Sequence, residues 1–264
     1  MKYSLAIIIF IFSFSSLSST IDFNLIYDLD YTLVQEVDKN TPKSFKLNFD
    51  GKYYKVNNWA LEGIEVFKAH GVSIHFFSGG QKERNIELLE KIKLSNGLSL
   101  KEIANNIWSK SDLDPASTTG RFGERYKKNL LKLNLNLSKS LLIDDYFNFV
   151  PKNQIDNLLW IGKTYYYFDT YAEAQHALRL GKFKAEYIPQ SYDEWFIAKN
   201  KFKFVNELIL DAVIKSPMEI KSHIQNYKDI FIPYEEKMTQ DFLKVYGPLK
   251  AIPNPCFEKY RYFK

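Results

Sequence analysis

Between residues 21 and 161, short apolar runs alternate with amphipathic stretches. Ile21 to Tyr27 alternates and then turns apolar, as a strand entering a sheet does, and stops at Asp28-Leu29-Asp30. Ser44 to Phe49 and Lys52 to Val56 flank Asp50-Gly51, which predicts a β-hairpin closed by a two-residue turn. Trp59 to His70 carries Leu61, Ile64, Val66 and Phe67 at helical spacing, with Gly71 as its stop. Val72 to Phe77 predicts a buried strand ended by Ser78-Gly79-Gly80. Glu83 to Leu94 predicts a helix with Ile86, Leu88, Leu89 and Ile92 facing inward, and Leu100 to Trp108 a further short helix. A polar loop from Asp112 to Gly123 precedes a helix expected over Glu124 to Leu133. Strands follow at Ser140 to Ile143, which stops at Asp144-Asp145, and at Leu158 to Ile161. Strands alternating with helices in this way predict an α/β fold with a parallel, Rossmann-like sheet.

The pattern changes near Thr170. Ala172 to Leu180, Trp195 to Ile214, Met218 to Tyr227 and Tyr234 to Val245 read as helices punctuated by prolines. Residues 166–264 are therefore expected to form a helical C-terminal extension packed on a core of residues 21–165. At the other end, Lys2 precedes an apolar run from Leu5 to Phe14, and mostly small residues follow from Ser15 to Thr20. Residues 1–20 thus have the layout of a secretory signal peptide, cleaved near Ser18 to Thr20, and predict a periplasmic or secreted protein. The run is short for a membrane span, so a membrane is expected as a partner only through this segment if it stays uncleaved.

Composition narrows the picture a little. Hydrophobic residues make up 45% of the 264, enough to bury a sizeable core, so disorder is excluded. The net charge is +5, but lysines are scattered among acids, so no nucleic-acid partner is expected. Aromatics reach 16% and are spread along the chain, which reads as packing. The single cysteine, Cys256, excludes an intrachain disulfide. His70, His75, His176 and His223 show no metal-ligand spacing, and His75, inside a strand, reads as a satisfied core residue. The run Lys199 to Lys203 reads as a solvated helix face.

Four short signals carry the chemistry. Ligands of parallel α/β sheets bind outside the carboxyl ends of the strands, and three of the four signals sit there. Asp28 and Asp30 are two carboxylates at alternate positions, suited to nucleophilic attack and to acid/base work respectively. Ser78 and the backbone at Gly79 could hold phosphate oxygens. Lys127 or Lys128, on the expected helix, could neutralise a phosphoryl group. Asp144 and Asp145 could hold Mg²⁺, which prefers oxygen ligands. Taken singly, each has an ordinary reading as an acidic turn, a glycine turn or a surface lysine.

Taken together, Asp28-x-Asp30-x-Thr32, Ser78, the lysine and Asp144-Asp145 resemble the four motifs of the haloacid dehalogenase superfamily over about residues 22–162. The chain looks most like the small-capped phosphatases that act on the RNA polymerase tail and their bacterial relatives. Asp28 to Leu33 and the hairpin match that branch, as does Tyr126-Lys127-Lys128-Asn129-Leu130, which favours Lys128. The resemblance implies a Mg²⁺-dependent phosphatase acting on a phosphorylated small molecule or phosphoprotein. Asp28 would be nucleophile and metal ligand, and Asp30 general acid/base with its carbonyl on the metal. Ser78, Gly79 and Lys128 would bind phosphate. Asp144 and Asp145 would complete the metal site, and Thr32 would support the loop. Tyr31 and Tyr146 depart from the family's pattern and bear on access for the leaving group. Arg121, in the polar loop, is a further phosphate ligand if that loop holds substrate. The alternative is a non-catalytic module whose C-terminal helices bind a partner; the intact acids argue against it.

Overall fold

The computed structural model describes residues 21–181 and 183–231. The expectations for residues 1–20, for Tyr234 to Val245 and for Cys256 lie outside the described residues. The chain runs β1 (Asn24–Tyr27), β2 (Val34–Val37), β3 (Phe45–Lys46), β4 (Tyr53–Val56), α1 (Ala60–Ala69), β5 (Ser73–Phe77), α2 (Lys82–Lys91), α3 (Leu100–Ile103), β6 (Asn106–Trp108) and β7 (Asp114–Pro115). It continues through α4 (Phe122–Arg125), β8 (Tyr126–Lys127), β9 (Ser140–Asp144), β10 (Leu158–Trp160), α5 (Tyr171–Leu180), α6 (Tyr192–Lys215) and α7 (Ile220–Phe231). A parallel sheet in the order β10-β9-β1-β5-β6 forms the centre, so the fold is α/β as expected. Among the described residues no helix is long and apolar enough to cross a membrane.

The sheet is buried on both faces, which is why its strands are apolar almost throughout. Side chains alternate between faces. Leu25, Tyr27, Ile74, Phe76, Leu141 and Ile143 enter one cluster, while Ile26, Phe77 and Leu142 enter the other. Helices α1, α2 and α6 cover the first face with Ile64 and Phe67, Leu88 and Leu89, and Phe202, Val205, Leu208 and Ile209. The Phe202 ring stacks on Tyr27 with centroids 6.3 Å apart. Each fully buried Leu or Ile of α6 contributes about 1.5–3 kcal/mol of transfer free energy. Helices α6 and α7 therefore share the core of the sheet.

Four local expectations change. The hairpin turn is wider than two residues: it spans residues 47–52, closed by Leu47 N–H to the Lys52 carbonyl at 2.9 Å. Asp50 accepts from Lys52 N–H and from the Tyr54 hydroxyl, and the wider turn lets Leu47 reach the core. β2 also pairs with β4, making the flap three-stranded. In α2 the inward face includes Arg84 and Asn85, Ile86 is only half-buried, and Ile92 is already extended. Leu100 to Trp108 makes one helical turn and then a strand, because β6 supplies the hydrogen bonds that the edge of β5 would otherwise lack.

The helix expected over Glu124 to Leu133 is one turn long. Beyond it Tyr126 and Lys127 pair with β7, the Lys128 N–H bonds the Phe149 carbonyl at 2.7 Å, and the Leu130 N–H bonds the Gln154 side chain. These tertiary bonds replace the helical ladder and draw Lys128 and Leu130 fully inside.

His75 is a satisfied core residue. It is hydrogen-bonded to Asn24 and Asn106 and stacked on Trp108, and burial lowers its pKa to about 4. Between pH 6.5 and 4 the unfolded chain therefore binds a proton that the folded chain refuses. Stability from this group is complete above pH 6.5 and lost as pH falls toward 4, by roughly 3 kcal/mol at most. Urea midpoints of the wild type should fall faster over this window than those of His75→Gln; parallel curves would contradict the assignment.

Candidate active site

Sheet register brings the chemistry together before any side chain is considered. Tyr27 pairs with Phe76 on one side and with Ile143 on the other. Asp28 therefore ends level with Asp144, and Ser78 lies one residue further on. At this edge Lys128, with no exposed surface, donates to Asp28 Oδ1 at 2.5 Å and to Asp144 Oδ2 at 2.7 Å. Lys127 does not enter; its ammonium bonds the Gly123 and Asn148 carbonyls. Burial pushes the Asp28 carboxyl well above the usual carboxylate range, Lys128 pulls it back, and Asp144, Asp145 and Asp30 oppose that pull. Burial lowers the Lys128 ammonium, but Asp144 and Asp28 outweigh it, and the net direction is upward.

Asp145 is fixed by hydroxyls. Thr32 Oγ1 donates to Asp145 Oδ1 at 3.2 Å and accepts from the Asp145 N–H at 3.0 Å, tying the β1 loop to the β9 loop. Thr164 donates to the other carboxylate oxygen. Burial, then the charge of Asp144, raises the Asp145 carboxyl to about 6. Thr32 thus supports the loop as expected, and Thr164 is an addition from beyond β10.

Asp30 faces the opposite flank. It accepts from Ser78 Oγ at 3.1 Å and from both terminal nitrogens of Arg84. Ser78 is buried, its oxygen also accepting from the Gly80 N–H. Arg84 lies over the Tyr54 ring at 4.8 Å, so the flap backs the guanidinium that holds Asp30. Gly79 is required by packing: a Cβ there would lie 2.6 Å from the Phe122 ring.

Two basic residues at the site escape a reading by motif. Lys201 of α6 is buried, donates to the Tyr31 carbonyl at 2.7 Å and feels the charges of Asp145, Asp28 and Asp144. Burial lowers its ammonium, and those acids oppose the shift. The run Lys199 to Lys203 is therefore not simply a solvated face. A signal existed for both residues: Lys201 lies four before Val205 and eight before Ile209, and Arg84 lies four before Leu88. Each is a charge on the apolar stripe of its helix, a position that demands a buried partner.

A cleft of about 590 Å³ opens above these residues, with Asp28, Asp30 and Asp145 on its lining. Gly79 and Arg121 also line it; Arg121 is exposed and forms no ion pair with the other described residues. Thr164, Tyr166 and Tyr187 reach it from beyond β10.

The acids fit a hard divalent cation. Asp28, Asp144 and Asp145 each offer an oxygen, and these atoms lie within 4.8 Å of one another. An all-oxygen set suits Mg²⁺. The upward push on Asp28 and Asp145 marks an excess of buried negative charge that such an ion would relieve.

Solved structures similar to the chain include that of Fcp1, an essential RNA polymerase II CTD phosphatase. It is 15% identical, with a TM-score of 0.43 over 80% of this chain and 72% of that one. A fission yeast Fcp1 variant bound to beryllium fluoride is 17% identical, with a TM-score of 0.40 over 88% of this chain and 68% of that one. No protein-family model and no curated protein matches the chain. The chemistry of the site is accordingly read from its own geometry.

Replacing Lys128 by Met leaves Asp28 and Asp144 buried without their shared cation, a loss of about 3–5 kcal/mol where both acids are ionised. The loss should shrink as pH falls, because burial raises the Asp28 carboxyl and favours its protonated, uncharged form. Urea midpoints of Lys128→Met and wild type at pH 8 and pH 5 test this, and an equal loss at both pH values would refute it.

Proposed function

We propose that the chain is a phosphomonoester hydrolase that works through a phosphoaspartate on Asp28. One observation carries this reading: Asp28, bridged by a buried lysine to Asp144, stands beside Asp145 at the end of the central strand, with a second carboxylate two residues on. An Asp28 oxygen attacks phosphorus as the ester P–O bond breaks, and Asp30, acting as general acid, gives a proton to the departing alkoxide. Asp30 then takes a proton from water, whose oxygen attacks the phosphoaspartate. The bond between phosphorus and Asp28 breaks, releasing phosphate and restoring the carboxylate. Mg²⁺ held by Asp28, Asp144 and Asp145 would supply positive charge to the phosphoryl oxygens. The ammonium of Lys128 stands beside the attacking oxygen, where it offsets charge gathering on the transferring group. Ser78 and Arg84 fix Asp30 in place.

Hydrolysis of p-nitrophenyl phosphate should require Mg²⁺, stop with EDTA and fall to background in Asp28→Asn. Turnover that survives in Asp28→Asn would sink the mechanism. In Asp30→Asn, kcat should fall about 10²–10⁴-fold, the usual contribution of a positioned acid/base; an unchanged kcat would remove Asp30 from that role. The apolar run at residues 5–14 further supports export. N-terminal sequencing of the mature protein should start near Ser18 to Thr20, and a chain still beginning at Met1 would count against it.

A further inference from the structure

The cleft has acids on its floor and aromatic rings on its walls. Six aromatic residues reach it, and they fall into two groups. Phe122, Tyr146 and Phe149 form one, with Phe149 edge-on to Phe122 at 5.9 Å and to Tyr146 at 6.1 Å. Tyr166 and Tyr187 form part of the other, edge-on at 5.8 Å and joined by a backbone hydrogen bond of 2.8 Å. Glycines set the first group: a side chain at Gly79 would collide with Phe122, and one at Gly123 with Tyr146. These rings are therefore held by close packing, and the cleft needs no rearrangement to present them.

Tyr31 completes the second group, and its backbone is the telling feature. Its φ is +61°, a left-handed conformation that a bulky aromatic residue rarely adopts. The conformation persists because both of its peptide groups are tied. Its N–H donates to the Val34 carbonyl at 2.7 Å, and its carbonyl accepts from buried Lys201. Strain held this firmly, between Asp30 and Thr32, places a half-exposed tyrosine ring on the cleft one residue from the acid/base carboxylate. Glycine would meet the backbone requirement without strain. The ring itself must have a use.

We propose that the cleft selects phosphate monoesters whose alcohol carries a planar aromatic ring within a few bonds of the ester oxygen, with Tyr31 as the selecting residue. This deepens the phosphatase reading and rests on it. Ring-on-ring contacts prefer offset or edge-on arrangements, which walls built from several fixed rings can offer and a saturated leaving group cannot exploit. Phosphotyrosine and nucleoside 5′-monophosphates share this chemistry.

The test uses leaving groups matched in reactivity. Benzyl phosphate and cyclohexylmethyl phosphate both release a primary alkoxide and differ mainly in whether the ring is planar. Wild-type kcat/KM should favour the benzyl ester by about fivefold or more. In Tyr31→Gly, which the φ of +61° tolerates, the ratio should fall toward one, and Tyr166→Leu should lower it independently. Calorimetric binding of benzylphosphonate against cyclohexylmethylphosphonate gives the same comparison without turnover. Equal kcat/KM for the two esters, with hydrolysis still dependent on Asp28, would overturn the aromatic selection and leave the phosphatase reading standing. No hydrolysis of either ester or of p-nitrophenyl phosphate, with equal binding of the two phosphonates, would overturn both. Phosphotyrosine and adenosine 5′-monophosphate, each compared between wild type and Tyr31→Gly, then separate the two sources: a larger fold-loss of kcat/KM for either than for phosphoserine supports the proposal and names its source, and equal losses for all three count against it.

Discussion

A buried ammonium between two buried carboxylates is the constraint around which this molecule is arranged. Lys128 has no exposed surface and touches both Asp28 and Asp144. Charges in such a place survive only if their partners are close and held. Asp28 and Asp144 are held because they end adjacent strands of one parallel sheet. Lys128 is held because the chain before it abandons its helix after one turn and bonds instead to β7 and to the Phe149 carbonyl. The cost of interrupting a good helical sequence is met by completing the charge triad.

The same logic reaches the C-terminal helices. α6 covers one face of the sheet with ordinary apolar residues, yet one inward position is Lys201. Its ammonium meets the acid cluster electrostatically and the Tyr31 carbonyl directly. The helix thus stabilises the loop that carries Asp28 and Asp30, including its strained tyrosine, from a place some 170 residues away in sequence. On the other flank Arg84 couples α2 and the flap to Asp30 through Tyr54. Core packing and site chemistry are therefore not separable here: the elements that bury the sheet also supply the groups that orient its acids.

Much of this was written locally. Asp28, Asp30, Ser78, Asp144 and Asp145 follow apolar strands directly, and parallel topology obliges such strand ends to meet. The family resemblance favoured Lys128 over Lys127 without deciding between them, and the helix expected to carry the lysine is not the conformation adopted. Arg84 and Lys201 were marked only by sitting on apolar stripes, a sign that points to a buried partner without naming it. β6 was missed because three residues carry too little periodicity to distinguish a strand from the tail of a helix. The aromatics read as general packing, since their spacing shows no stripe.

The sequence by itself determined the alternation of strands and helices, the parallel sheet, and the acids at its edge, because periodicity and punctuation are local properties. Tertiary structure decided which lysine is buried, which helix positions become charged partners of the site, and which six aromatic rings line one cleft. Those outcomes depend on the need to pair every buried charge and fill every buried volume. That need is satisfied by residues distant in sequence, and no window along the chain contains it.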